Sequence, residues 1–224
     1  MNDINLDDRK CFDMSQPVYD HCPGWPTYEP TIVRLEAEHE KDGFQAEQIR
    51  LNSHTGTHMD APFHFFPSGR TIDEIPIGNF MGHALLVDLR GAIKLKEGIS
   101  PSHIERYIGN ISKDDIILIN TGWSHMRGFE EIYHHDWPYL TAEISELFVA
   151  KHIKGVGIDC MSIGGWYEGT GRPAHEVLLS HDIWAVEEIY FPDELMEAES
   201  CFFMALPLKW RHFSGAPVRA VGII

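Results

Sequence analysis

Between residues 53 and 65 the chain reads Ser-His-Thr-Gly-Thr-His-Met-Asp-Ala-Pro-Phe-His-Phe, which gathers His54, His58, Asp60 and His64 into one short stretch. Imidazoles and carboxylates are the ligand types that suit zinc, manganese or iron. All four residues fall on even positions, so an extended chain would turn them to one side. A straight strand nevertheless separates His54 from His58 by roughly 13 Å. Two imidazoles sharing one ion at ~2.1 Å need to be closer than that. A bend between them is therefore predicted, with Gly56 as the residue that permits it. A helix would also pair His54 with His58, but Thr55-Gly56-Thr57 and the nearby Pro62 disfavour one. A histidine-rich loop holding no metal would carry the same letters, so spacing alone leaves that alternative open.

Such a cluster needs a frame. Thr31–His39 and Phe44–Leu51 read as two strands joined by a turn at Lys41-Asp42-Gly43, since Asp-Gly between β-prone runs is a hairpin signal. Further strands are expected at Ala84–Leu89, Asp115–Asn120, Gly155–Asp159, Ile183–Glu187, Cys201–Leu206 and Val218–Ile224. Several of these are continuous apolar runs, as in strands covered on both faces. Helices are expected at Pro101–Tyr107 after Ser100, at Thr141–His152 with Thr141 as cap, and at Pro173–Ser180 opened by its proline. The stretch from Ala61 to Met81 reads as a long irregular segment, a length at which loops are often functional. The order of elements predicts an α/β fold with a central mixed sheet flanked by helices. Nothing resembling a linker or a repeat divides residues 1–224, which read as a single domain.

Hydrophobic residues make up 43% and charged residues 23% of the 224 positions, an ordinary globular balance. With 18 Lys and Arg against 34 Asp and Glu the formal net charge is −16. Such a surface repels phosphate backbones and anionic lipid, so neither nucleic acid nor membrane is expected as a partner. No basic and apolar leader opens the sequence, and no apolar run approaches the ~20 residues of a membrane span. The four cysteines, Cys11, Cys22, Cys160 and Cys201, form no Cys-x-x-Cys pair and are expected to be reduced and mostly buried, giving a cytoplasmic reading.

The run from His54 to Phe65 resembles the His-x-Gly-Thr-His-x-Asp-x-Pro-x-His-Phe signature of the cyclase family, which includes bacterial kynurenine formamidases and isatin hydrolases. Thr121-Gly122-Trp123, Gly157-Ile158-Asp159 with Ser162, and Gly215-Ala216-Pro217-Val218-Arg219-Ala220 extend the resemblance from about Trp25 to the end. The resemblance implies a kynurenine-formamidase-like fold of the swivelling β/β/α type and a homo-oligomer acting on a small molecule. It also implies one or two divalent ions per subunit, zinc before manganese. Their ligands would be His54, His58 and Asp60 together with His175 and, by spacing, Glu187 rather than Glu188. Asp60 is then the natural bridge, because a carboxylate has two oxygens and an imidazole one accepting nitrogen.

His64 is carried over as general acid/base, a fourth metal ligand or a loop histidine bonded to backbone being the alternatives, and Trp25 as a substrate-binding residue. Phe63 is the substrate-binding candidate among Phe63, Phe65, Phe66 and Phe80, which could wall an aromatic pocket although phenylalanine is more often core. The implied activity is attack of a metal-bound hydroxide on an aryl formamide of the N-formylkynurenine kind, releasing formate and the free amine. Opening of a cyclic amide, as in isatin hydrolases, is the alternative, and Glu187-Glu188-Ile189 departs from the Glu-Asn-Leu of many formamidases. A metal or small-ligand binding protein without turnover is the reading from another class, and His64, surplus to a sufficient ligand set, is what discriminates it.

Overall fold

The computed structural model describes residues 9–224. In chain order the strands are β1 (Cys11–Asp13), β2 (Ile32–Ala37), β3 (Ala46–Arg50), β4 (His58–Asp60), β5 (Met81–Asp88), β6 (Gly98–Ile99), β7 (Ile116–Asn120), β8 (Tyr139–Leu140), β9 (Gly155–Ile158), β10 (Trp184–Glu187), β11 (Ser200–Pro207) and β12 (Gly215–Ile223). The helices are α1 (His39–Asp42), α2 (Glu105–Ile108), α3 (Glu131–His135), α4 (Ala142–Ala150) and α5 (Pro173–Ser180). Every residue of β7 and β9 is buried, as their largely apolar sequences suggest.

Eight strands form one sheet in the order β1-β12-β11-β5-β7-β9-β10-β4. Strands β5, β7, β9 and β10 run parallel, while β11, β12, β4 and β1 pair antiparallel to their neighbours. The mixed sheet is therefore as expected, but it is not open. Strand β4 bonds to β10 on one side and to β12 on the other, which closes the sheet into a barrel. The sequence hides this closure, because the closing strand consists of His58, Met59 and Asp60, two of them polar.

Alternation along the strands separates two cores. Met59, Ala84, Leu86, Ile116, Leu118 and Phe203 belong to one, contributed by strands all round the barrel. Leu85, Val87, Ile117, Ile119, Val156 and Ala185 belong to the other. There they meet Ile144 and Phe148 of α4 and Ala174 and Leu178 of α5. Helix α4 opens as its sequence dictates, with Thr141 Oγ1 accepting the Ile144 amide at 3.4 Å, a cap of about 1 kcal/mol.

Two local expectations need correction. The β2–β3 connection is longer than a tight turn. Residues 39–42 wind into the single turn of α1, which ends at Gly43 with φ +78°. The Asp42 carboxylate accepts the Glu38 amide at 2.8 Å and so stabilises a helical turn where a hairpin turn was expected. The helix expected at Pro101–Tyr107 begins as a 3-10 turn over Pro101–Ile104 before α2. Ser100 does cap it, donating its amide to His103 Nδ1 at 3.1 Å. The segment from Ala61 to Met81 is irregular apart from 3-10 turns at Pro62–His64 and Ile77–Phe80. Among the described residues no helix is long and apolar enough to cross a membrane.

Barrel closure brings β12 against β4 so closely that a side chain at Gly215 has no room. A Cβ there would lie 2.5 Å from the Met59 carbonyl and 2.7 Å from His54 Cε1. Gly215→Ala is expected to lower the unfolding free energy by about 1–3 kcal/mol, read from urea denaturation. An unchanged midpoint would show that the β4–β12 contact tolerates the methyl group.

Candidate metal centre

The predicted bend is present. Gly56 has φ +63°, a left-handed conformation that most side chains resist, and a Cβ there would also meet Val18 Cγ2 at 2.8 Å. The reversal brings the His54 and His58 rings to 5.1 Å between centroids. After it the chain enters β4, where His58 and Asp60 share one face and Met59 takes the other, in the core. Register then adds the next ligand type, since Glu187 of β10 lies directly opposite His58.

Each imidazole is oriented by a partner on its far side. His58 donates Nδ1–H to the Gly56 carbonyl at 2.8 Å, leaving Nε2 at 3.3 Å from Glu187 Oε2 and 3.5 Å from Asp60 Oδ1. His175, on the first turns of α5, donates Nδ1–H to the Gly171 carbonyl at 2.8 Å. Its Nε2 lies 3.3 Å from Glu187 Oε1 and 3.6 Å from Asp60 Oδ2. His54 places Nδ1 at 2.7 Å from Asp60 Oδ1 and Nε2 at 3.0 Å from Ser214 Oγ. Glu187 Oε1 also accepts from Ser162 Oγ at 2.9 Å and from the Ile163 amide at 2.7 Å.

Two ligand sets result, His54–His58–Asp60 and Asp60–His175–Glu187, each with its ligand atoms within 4.8 Å of one another. Asp60 is common to both and turns Oδ1 to the first and Oδ2 to the second. It is 1% exposed, yet Oδ2 has no hydrogen-bond partner among the described residues. A buried carboxylate oxygen left unpaired is costly, so the donor set fits a cation at this position. His64 stands beside the sets without completing either, its Nε2 4.0 Å from Asp60 Oδ2 and its ring 4.1 Å from that of His54.

The electrostatics agree. Burial would raise the Asp60 carboxyl, but His64, His54 and His175 hold it well below the usual carboxylate range. Burial and Asp60 push Glu187 up, and hydrogen bonds from His175 and His58 overcome them to bring it down to about 2. Burial opposes the charged form of His58 and His175, yet the surrounding carboxylates lift them to about 9 and about 10. For His64 burial dominates and lowers it to about 4, so it is neutral at neutral pH.

A cavity of about 490 Å³ opens onto this cluster, a size that suits a small molecule. Trp25 lines it together with Tyr28, Phe65 and Trp166. Phe65 stacks on His175 with centroids 4.6 Å apart and planes 5° from parallel. Phe63 does not line the cavity. It sits inside the 3-10 turn Pro62–His64, where residues successive in sequence point about 120° apart, and its amide bonds to the Arg70 carbonyl at 3.0 Å. Of Phe63, Phe65, Phe66 and Phe80, Phe65 is the one that lines the cavity. Glu188 does not replace Glu187 as a ligand candidate, because its carboxylate is paired with Arg127 at 3.0 Å. Trp166 and Ser214 escaped the sequence reading, since an isolated tryptophan and an isolated serine have no spacing to recommend them.

The raised values fix a sign for the metal-free protein. His58 and His175 add stability that is full below pH 6.5, their ordinary value, and lost as pH climbs through about 9 and about 10. His64 acts oppositely and costs stability as pH falls from 6.5 towards about 4. A cation must displace the protons on His58 and His175. Metal affinity is therefore expected to rise steadily from pH 6 to 9, with protons released on binding, as calorimetry in buffers of different ionisation enthalpy would report. Affinity independent of pH over that range would contradict the assignment.

The cyclase family model matches residues 12–164. A kynurenine formamidase from Bacillus cytotoxicus is 27% identical over 210 residues, spanning 93% of this chain and 95% of that protein. One from Bacillus anthracis is 28% identical over 213 residues, spanning 95% and 96%. Isatin hydrolase A from Labrenzia aggregata, solved with benzyl benzoate, superposes with a TM-score of 0.86 at 22% identity, covering 96% of this chain and 94% of that one. A solved structure reported as a potential metal-dependent hydrolase with cyclase activity gives a TM-score of 0.79 at 26% identity, covering 96% and 98%. With the family model matching more than half of this chain and the same fold in solved relatives, this chain belongs to the cyclase family.

Proposed function

We propose that this chain is a metal-dependent amide hydrolase acting on the C–N bond of aryl formamides, with N-formylkynurenine-like compounds as the favoured substrates. The observation that carries the reading is Asp60, whose two oxygens face separate ligand sets beside an aromatic cavity. His54, His58 and Asp60 would hold one divalent ion, and Asp60, His175 and Glu187 a second. Such ions, zinc first and manganese second, supply Lewis acidity and lower the pKa of a bound water.

The chain's own groups do the rest. His64 is the one histidine of the cluster whose side chain is a quarter exposed, at 25%, so it reaches both the ligands and the cavity. Neutral at working pH, it takes a proton from water as the new O–C bond forms. It then gives that proton to the amide nitrogen as the C–N bond breaks, and formate and the free amine leave. Trp25, Tyr28, Phe65 and Trp166 offer flat faces against which an aryl ring stacks. The kinship with kynurenine formamidases over nearly the whole chain supports an open formamide. We further read residues 1–224 as one cytoplasmic domain that works as a homo-oligomer, and a surface of net charge −16 accords with a small-molecule partner and no nucleic acid.

His64→Ala is expected to lower kcat on N-formylkynurenine by about 10²–10⁴-fold with bound metal unchanged by elemental analysis. Undiminished turnover at full metal content would remove His64 from the reaction. In a parallel assay the metal-loaded enzyme should turn over N-formylkynurenine faster than isatin, and the reverse order would identify a cyclic-amide hydrolase.

A further inference from the structure

The ligand Glu187 is followed by a second buried carboxylate that the proposed chemistry does not use. Glu188 is 3% exposed and has φ +52°, a left-handed conformation unusual for a residue of its kind. Consecutive residues of a strand normally face opposite ways. Here the twist after β10 turns Glu188 onto the same cavity as Glu187.

Arg127 meets it, also nearly buried, with 6% of its side chain exposed. Its guanidinium uses all three nitrogens. Nε donates to Glu188 Oε2 at 3.0 Å, Nη1 to the Pro17 carbonyl at 3.1 Å and Nη2 to the Pro23 carbonyl at 3.2 Å. Both carbonyls belong to the segment that leads from β1 to Trp25. A neutral route runs alongside, in which the Gln16 amide donates to Thr57 Oγ1 at 2.8 Å and Thr57 Oγ1 donates to the Glu188 carbonyl at 2.6 Å. The segment is thus tied at both ends to the residue that follows a metal-ligand candidate.

We propose that Arg127 and Glu188 form a positioning clamp, which holds residues 17–25 in place so that Trp25 walls the cavity beside the metal cluster. This rests on the amide-hydrolase reading only for the choice of substrate. A planar fork is needed to reach a carboxylate and two separate carbonyls at once, which the single ammonium of lysine cannot do. Arg127 does not line the cavity, and the Glu188 carboxylate is engaged by Arg127. Loss of the clamp loosens the aryl wall and weakens binding while leaving the chemical step nearly intact.

The test uses metal-loaded protein of the full sequence. The double variant Arg127→Met/Glu188→Gln removes both charges together, so no unpaired charge is left buried. Amide hydrogen exchange across residues 18–28 is expected to quicken by about tenfold or more in this variant. KM for an aryl formamide should rise about tenfold with kcat within about twofold, at full metal content. Arg127→Lys keeps a cation beside Glu188, serves if the double variant does not fold, and should show the same changes to a smaller degree. Unchanged exchange at 18–28 would overturn the clamp, as would a fall in kcat at constant KM. Because hydrogen exchange needs no turnover, a protein inactive on every amide would sink the substrate reading and leave the clamp testable.

Discussion

Asp60 is 1% exposed, sits against Glu187 and has one oxygen without a hydrogen-bond partner among the described residues, a combination that costs free energy unless positive charge offsets it. Two carboxylates with ligand atoms 4.8 Å apart, the outer limit here, would repel by about 3 kcal/mol at an effective dielectric constant near 20. Without metal, protons on His58 and His175 offset that repulsion, and the carboxylates around them raise both above their ordinary value. The cluster is a preformed cradle whose cost is met by whichever cation enters. Its two sets are linked because they share one residue, Asp60.

Barrel closure serves this constraint. Residues on β4 have neighbours on both sides, with Asp60 opposite Ala185 of β10 and Gly215 of β12 and His58 opposite Glu187. A ligand on a free edge could swing, whereas one held between two strands cannot. The division into two cores matters equally. Met59 anchors β4 into one core, so His58 and Asp60 must face the other side, where α5 and the segment after β9 deliver His175 and Ser162. Small residues then admit the close approaches, Gly56 at the reversal and Gly215 beside His54.

Much of this was legible beforehand. Even spacing of His54, His58, Asp60 and His64 and the need for a bend at Gly56 follow from ligand chemistry and strand geometry alone, and the parallel strands follow from their apolar runs. His175 and Glu187 were reachable only through family resemblance, since each is a lone residue far from the motif and fold geometry alone brings them in. The closing strand β4 could not be read, because a three-residue strand with a single apolar residue between two ligand candidates has no hydrophobic signature. Which of Phe63, Phe65, Phe66 and Phe80 faces the cavity could not be read, because the 3-10 turn after Asp60 that sets their directions has no sequence signature. Arg127 was invisible for a similar reason. It pairs with Glu188 and with carbonyls from residues 17 and 23, all distant in sequence.

The sharing of Asp60 is the claim on which the account depends, and metal counting tests it most directly. Elemental analysis of bound zinc or manganese after dialysis would compare the native protein with His54→Ala, His175→Ala and Asp60→Ala. The account predicts two ions per chain in the native protein, one in each histidine variant and none in Asp60→Ala. Retention of an ion by a folded Asp60→Ala protein would contradict it.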